Sequence, residues 1–266
     1  MIKGYCDPKF QNVYDAFSNA IESEFETGAA LAIEHQGNMI VNLWGGHQDA
    51  QKTKAWEENT LVNVFSVTKG VTATCISRLI DQGKLDPDKR VGYYWPEYSC
   101  NGKEDTKVSD LLCHRAAMFG FKEGIPLGSF QDWNKFIQQL QLQTPYRKPG
   151  ISQGYHALTF GWLVGELIRR VDGRSVGQYF KEEIAEPLNI DFHIGLDEID
   201  LIRCADMLMI ERDSMQLPGQ FLRYVPSFLL PQRLKNFKTA LLSGDFLEAF
   251  QEREEEDANY VNSLDW

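Results

Sequence analysis

The chain has 266 residues, 43% hydrophobic and 24% charged, which suits one globular domain, or one with an inserted lobe, and easily buries a core. A net charge of −11 argues against nucleic acid or an anionic membrane surface as the main partner, because both are met by basic patches. The five scattered cysteines (Cys6, Cys75, Cys100, Cys113, Cys204) form neither a C-x-x-C pair nor a Cys/His cluster with zinc spacing, so they read as reduced thiols and imply no metal. Cys75 and Cys113 read as small core residues.

The N-terminus, Met1 to Pro8, lacks the apolar core of a signal peptide, and no run reaches transmembrane length. The expectation is a cytoplasmic protein without a membrane span. Phe10, Val13, Tyr14, Phe17 and Ile21 recur at helical spacing, so Pro8 to Glu24 is predicted to be an amphipathic helix. Gly28 to His35 and Met39 to Trp44 are two β-prone runs around Gln36-Gly37-Asn38, a hairpin that Gly45-Gly46 should end. His47 to Asn59 is polar and reads as a loop. Leu61 to Phe65 reads as extended, running into a helix from Val67 to Asp81 that Gly83 stops.

Beyond that helix, Asp86 to Asn101 is rich in Pro, Gly and aromatics and reads as irregular. Ser109 is placed as the cap of a short helix starting near Asp110, and Gln131 to Leu142 is a further helix. Pro145 to Gly154 is a loop delivering Tyr155. Leu158 to Val171 is strongly periodic and ends at Gly173, and Ser175 to Ile184 continues as helix until Pro187. Gly219 to Leu242 fits two short amphipathic helices, and Gln251 to Asp257 is an acidic, solvated run. Strands followed by helices at intervals indicate α/β or α+β layering.

Chemistry concentrates at Ser66-Val67-Thr68-Lys69. A serine at a helix start sits among unpaired backbone N–H groups at the positive end of the helix dipole. A lysine three residues on shares its face, and a desolvated lysine there can take the hydroxyl proton. The spacing is that of an S-x-x-K acyl-transfer nucleophile. The plainer reading of the same four residues is a serine helix cap followed by a solvated lysine.

The neighbouring blocks carry a resemblance. In order they are Trp56 to Val62, Val64 to Ala73, Leu79 to Asp88, Tyr94 to Tyr98, Leu111 to Met118 and Gly154 to Leu163. Together, from about Thr27 to Gly195, they resemble the β-lactamase-related serine hydrolases: class C β-lactamases, D-aminopeptidases, family VIII esterases and eukaryotic β-lactamase-like proteins. The resemblance is closer to the esterase-like, eukaryotic-type branch. It implies an antiparallel sheet flanked by helices, a mainly helical lobe over residues 86–190 within a single domain over 1–266, and no cofactor. It also implies catalytic roles for Ser66, Lys69 and Tyr155, the last as general base or proton relay with the lysine.

Two departures from the family pattern bear on substrate. The tyrosine element reads Tyr155-His156-Ala157, and Ala157 lacks the amide that asparagine supplies in true β-lactamases, which favours esters or small amides. No Lys-Thr-Gly or His-x-Gly is read after Tyr155, so the chain reads as the N-terminal part of a longer hydrolase whose C-terminal strands are missing. His114 and His156 read as structural rather than as triad members. No G-x-S-x-G elbow is present, which disfavours an α/β-hydrolase. Three functional readings stay open: a serine hydrolase of small-molecule esters, amides or lactams; a non-catalytic β-lactamase-like binding or scaffold protein; and an unrelated α/β protein with a chance S-x-x-K.

Overall fold

The computed structural model describes residues 1–124, 132–208 and 226. The chain divides into two units, Met1–Val64 with residues 196–208, and Phe65–Gly195. In the first, strands β1 (Ile2–Cys6), β2 (Gly28–His35) and β3 (Asn38–Gly46) form an antiparallel sheet in the order β1-β3-β2, and helix α1 (Gln11–Glu22) packs across β1 and β3. The hairpin forms where it is expected. His35 pairs with Asn38, leaving Gln36 and Gly37 at φ +51° and +77°. A two-residue turn with both φ values positive matches the twist of the flanking strands. Alternate residues Val41 and Leu43 of the central strand are buried.

Several expected boundaries move. β1 was not among the predicted elements, because Ile2 to Cys6 is short and has no clean apolar alternation; its pairing from Ile2–Gly45 to Cys6–Val41 supplies the order that its own sequence does not. Gly45-Gly46 ends β3 as expected, but from within the strand. The strand runs to Gly46, and a side chain at Gly45 would sit 2.7 Å from the Ile2 side chain, so glycine here lets the sheet close. The first helix starts at Gln11 after a 3₁₀ turn, Pro8–Phe10, in which the Asp7 carboxylate accepts the Lys9 N–H at 2.9 Å. Leu61 to Phe65 is not a strand: Leu61 makes one isolated bridge to Cys204, and Phe65 takes φ +44°.

The second unit is helical: α2 (Val67–Asp81), α3 (Val108–Leu112), α4 (Trp133–Leu142), α5 (Thr159–Asp172) and α6 (Val176–Phe180). Helix α5 is its centre. Phe160, Leu163, Val164, Leu167 and Ile168 recur at three- and four-residue spacing and are all buried, and α5 packs on α2, α3, α4 and α6. Around it lie Cys75, Ile76 and Leu79 of α2, Trp95, Tyr98, Phe136, Leu140 and Tyr179. Gly173, at φ +92°, closes α5 with its N–H on the Arg169 carbonyl. Charged residues tie the rim. Arg174 pairs with Asp172, Glu182 and Glu183, and Glu183 also meets Arg78 of α2 at 2.8 Å.

Four further readings need correction. α3 begins at Val108, and its start is held by the Asp110 carboxylate accepting the Lys107 N–H at 3.0 Å, not by Ser109. α4 begins at Trp133, because Asp132 caps it by accepting the Lys135 N–H. The helix opened by α6 passes Pro187. A π turn (Lys181–Ala185) and a final turn (Glu186–Leu188) carry it one residue past the proline, and Asn189 at φ +52° ends it. Cys75 is a core residue as expected, but Cys113, at the C-terminal end of α3, is exposed. The segments Gly219 to Leu242 and Gln251 to Asp257 lie outside the described residues. The Leu167 side chain is fully buried at the centre of the helical core. Leu167→Ala is therefore expected to cost about 2–5 kcal/mol in urea unfolding; a loss below about 1 kcal/mol would show that α5 is not the element the core is built on.

Candidate active site

Helix α2 starts at Val67, which puts Ser66 at its N-terminal boundary with φ −72° and ψ −5°. The Ser66 side chain makes no capping bond to the helix. Its hydroxyl is turned instead to two other partners. Lys69, one turn along α2, brings Nζ to 3.0 Å from Ser66 Oγ, and the Tyr155 hydroxyl donates to the same oxygen at 2.8 Å. The plainer reading of the motif, a serine cap with a solvated lysine, therefore fails on both counts. Lys69 is half-buried, and its ammonium also donates to the Ala157 carbonyl at 2.6 Å. It lies 5.2 Å from the centre of the Tyr155 ring and 5.9 Å from that of Phe160.

Tyr155 reaches the serine because its two neighbours are fastened to one residue. The Gly154 N–H donates to the His114 carbonyl at 2.9 Å, and the His156 N–H donates to His114 Nδ1 at 3.1 Å. The His114 ring packs 4.9 Å from the Tyr155 ring and 5.2 Å from that of Phe160. His114 adopts φ +58°. Burial, with the Lys69 charge second, holds its pKa below the ordinary imidazole range, consistent with a neutral ring that accepts at Nδ1.

His156 is fully buried. Its Nε2 accepts the Met118 N–H at 3.2 Å, so Nδ1 carries the hydrogen and donates to the Gly154 carbonyl at 2.7 Å. Thr159 Oγ1 donates to the Met118 carbonyl at 2.6 Å and stitches the same loop to the start of α5. Both imidazoles thus have backbone partners, as the sequence reading expected of them. The Ala157 methyl is buried with Ala117 and Phe119, and only its carbonyl takes part in the serine cluster. That carbonyl and the His114 clamp were missed from sequence, because a backbone acceptor leaves no residue-type signature.

The model of the beta-lactamase family matches residues 17–258. The chain belongs to the beta-lactamase family. The esterase/beta-lactamase LipL of Mycobacterium tuberculosis is 38% identical over 208 residues, covering 77% of this chain and 48% of that protein. Among solved structures, a family VIII carboxylesterase matches with TM-score 0.74 and 40% identity, over 78% of this chain and 57% of its own. A penicillin-binding protein homologue from Caulobacter crescentus matches with TM-score 0.76 and 36% identity, over 79% and 57%. The chain thus spans about half the length of the curated relatives it matches. The fold expectation, a β-lactamase/transpeptidase-like mixture of antiparallel sheet and helices, is met by these neighbours.

One letter pattern needs correction. His193-Ile194-Gly195 does spell His-x-Gly after Tyr155, but it forms a bend rather than a strand, with His193 Nε2 2.9 Å from Asp191 Oδ1. Among the described residues, no helix is long and apolar enough to cross a membrane.

Burial of His156, followed by the nearby His114, pushes its pKa down from 6.5 to about 3. The unfolded chain then binds a proton near pH 6.5 that the folded chain refuses until about pH 3. Stability should be full above pH 6.5 and fall by up to about 1.4 kcal/mol per pH unit toward pH 3. Denaturant unfolding at a series of pH values should show this slope flattened in His156→Gln; equal slopes would contradict the assignment.

Proposed function

We propose that this chain is a serine hydrolase that forms an acyl-enzyme on Ser66, with carboxylic esters as its preferred substrates. The observation that carries the reading is the convergence of Lys69 Nζ and the Tyr155 hydroxyl on a Ser66 Oγ that is not used as a helix cap. In this reading the reactive form of the Lys69–Tyr155 pair holds one proton fewer than the cluster in which both groups donate, and as Ser66 Oγ attacks the ester carbonyl carbon its proton fills that vacancy. The tetrahedral oxyanion forms beside the N-terminus of α2, where the positive end of the helix dipole favours negative charge. Collapse breaks the bond to the leaving alkoxide, which takes the proton back through the same pair. Water then attacks the acyl-enzyme, frees the acid and returns the proton to Ser66.

The preference for esters or small amides over lactams rests on position 157, where a buried methyl stands in place of a side-chain amide. Family membership and the esterase relatives support hydrolysis in general. We take residues 1–266 as one catalytic domain with a helical lobe over 86–190. We place it in the cytoplasm, a reading supported by five free thiols.

Hydrolysis of 4-nitrophenyl butyrate tests the roles. Ser66→Ala should abolish turnover while the protein stays folded. Tyr155→Phe and Lys69→Ala should each lower kcat about 10²–10⁴-fold, the range for a lost proton-transfer group. Turnover surviving in Ser66→Ala would move the nucleophile elsewhere. A folded wild type with no esterase activity would favour the binding or scaffold reading.

A further inference from the structure

We propose that His114 is a positioning residue for the reaction: it clamps both backbone neighbours of Tyr155 and thereby sets the phenol, and with it the partner of Lys69, against Ser66. The inference rests on acyl transfer at Ser66. Its geometry is separate from the chemistry. The His114 carbonyl accepts from Gly154, and its Nδ1 accepts from His156, at 2.9 and 3.1 Å. Tyr155 lies between those two donors, with its ring against the imidazole. The Tyr155 backbone cannot swing without breaking one of the two bonds. One residue past the clamp is Ala157, whose carbonyl holds Lys69. A single residue on the loop after α3 therefore holds Tyr155 directly and lies one residue from the carbonyl that holds Lys69.

A purely structural loop residue and a triad base would each behave differently from a positioning residue. A purely structural residue would affect folding and leave the serine chemistry of the folded fraction untouched. A triad base would point a nitrogen at Ser66, whereas His114 Nδ1 is occupied by the His156 amide. What the clamp supplies is placement, and a misplacement of about 1 Å in a reacting group costs about a hundredfold in rate.

Two substitutions separate the contributions. Asparagine presents Oδ1 at the same bond distance from Cα as Nδ1 and tolerates the left-handed backbone that His114 adopts at φ +58°. Phenylalanine keeps the ring packing and accepts nothing. With 4-nitrophenyl butyrate and the full 266-residue chain, His114→Phe should lower kcat about 10–100-fold with KM changed less than about threefold, and His114→Asn should recover most of the loss. Wild-type kcat in a folded His114→Phe protein, or equal losses in both variants, would overturn the proposal.

A wild type that neither turns over esters nor reacts with a fluorophosphonate would count against the Ser66 reading instead. The clamp would then be read by hydrogen exchange. The His156 amide should be protected in the wild type and in His114→Asn, and exchange at least about tenfold faster in His114→Phe. Exchange of that amide in the wild type as fast as that of an open loop would overturn the clamp, even if His114→Phe failed to fold.

Discussion

The arrangement depends on one cation. Lys69 Nζ donates to Ser66 Oγ at 3.0 Å and to the Ala157 carbonyl at 2.6 Å, so a single ammonium joins the start of α2 to the segment that enters α5. An ammonium has three donors and no acceptor, and removing it from water is tolerated only where those donors find oxygens. Ser66 and Ala157 supply two such oxygens, and the Tyr155 and Phe160 rings flank the charge. If α2 and α5 shifted against each other, the lysine would lose one partner, and the serine would lose contact with the tyrosine-bearing segment. Packing of Cys75, Ile76 and Leu79 against the α5 stripe resists that shift. The core and the site are in this sense one construction.

Three of the non-glycine residues in the left-handed region lie at the same place. Phe65, immediately before Ser66, lies at φ +44°, His114 at φ +58° and Ala117 at φ +54°. Such conformations cost about 1–3 kcal/mol each and persist where surrounding contacts over-determine them. Here those contacts are visible. The His114 carbonyl and ring hold Gly154 and His156, and the Ala117 carbonyl accepts the Tyr146 N–H at 2.9 Å. Phe65 turns the chain into α2, which delivers Ser66 at the helix start without committing its hydroxyl to the cap.

Much of this was legible in the sequence, for specific reasons. Gln36-Gly37 between two β-prone runs demanded a hairpin, Gly173 a helix stop, and the three-and-four spacing from Phe160 to Ile168 a buried face. The S-x-x-K spacing put Ser66 and Lys69 on one helical face, and resemblance to the family pointed to Tyr155. What stayed hidden was non-local or backbone-borne. β1 is ordered by its partner strand. The Ala157 carbonyl is invisible in a residue type that offers only a methyl group. The His114 clamp joins residues 42 apart through one ring nitrogen. The helix ends one residue past Pro187, at Leu188, where Asn189 turns into the left-handed region.

Ser66 is proposed to be an activated nucleophile in this chain. Intact-mass spectrometry after reaction with a fluorophosphonate, with Ser66→Ala as control, tests it most directly. An activated Ser66 gives a single phosphonyl adduct on the wild type and none on the variant. A folded wild type that gains no adduct, or an adduct that persists in Ser66→Ala, would contradict it.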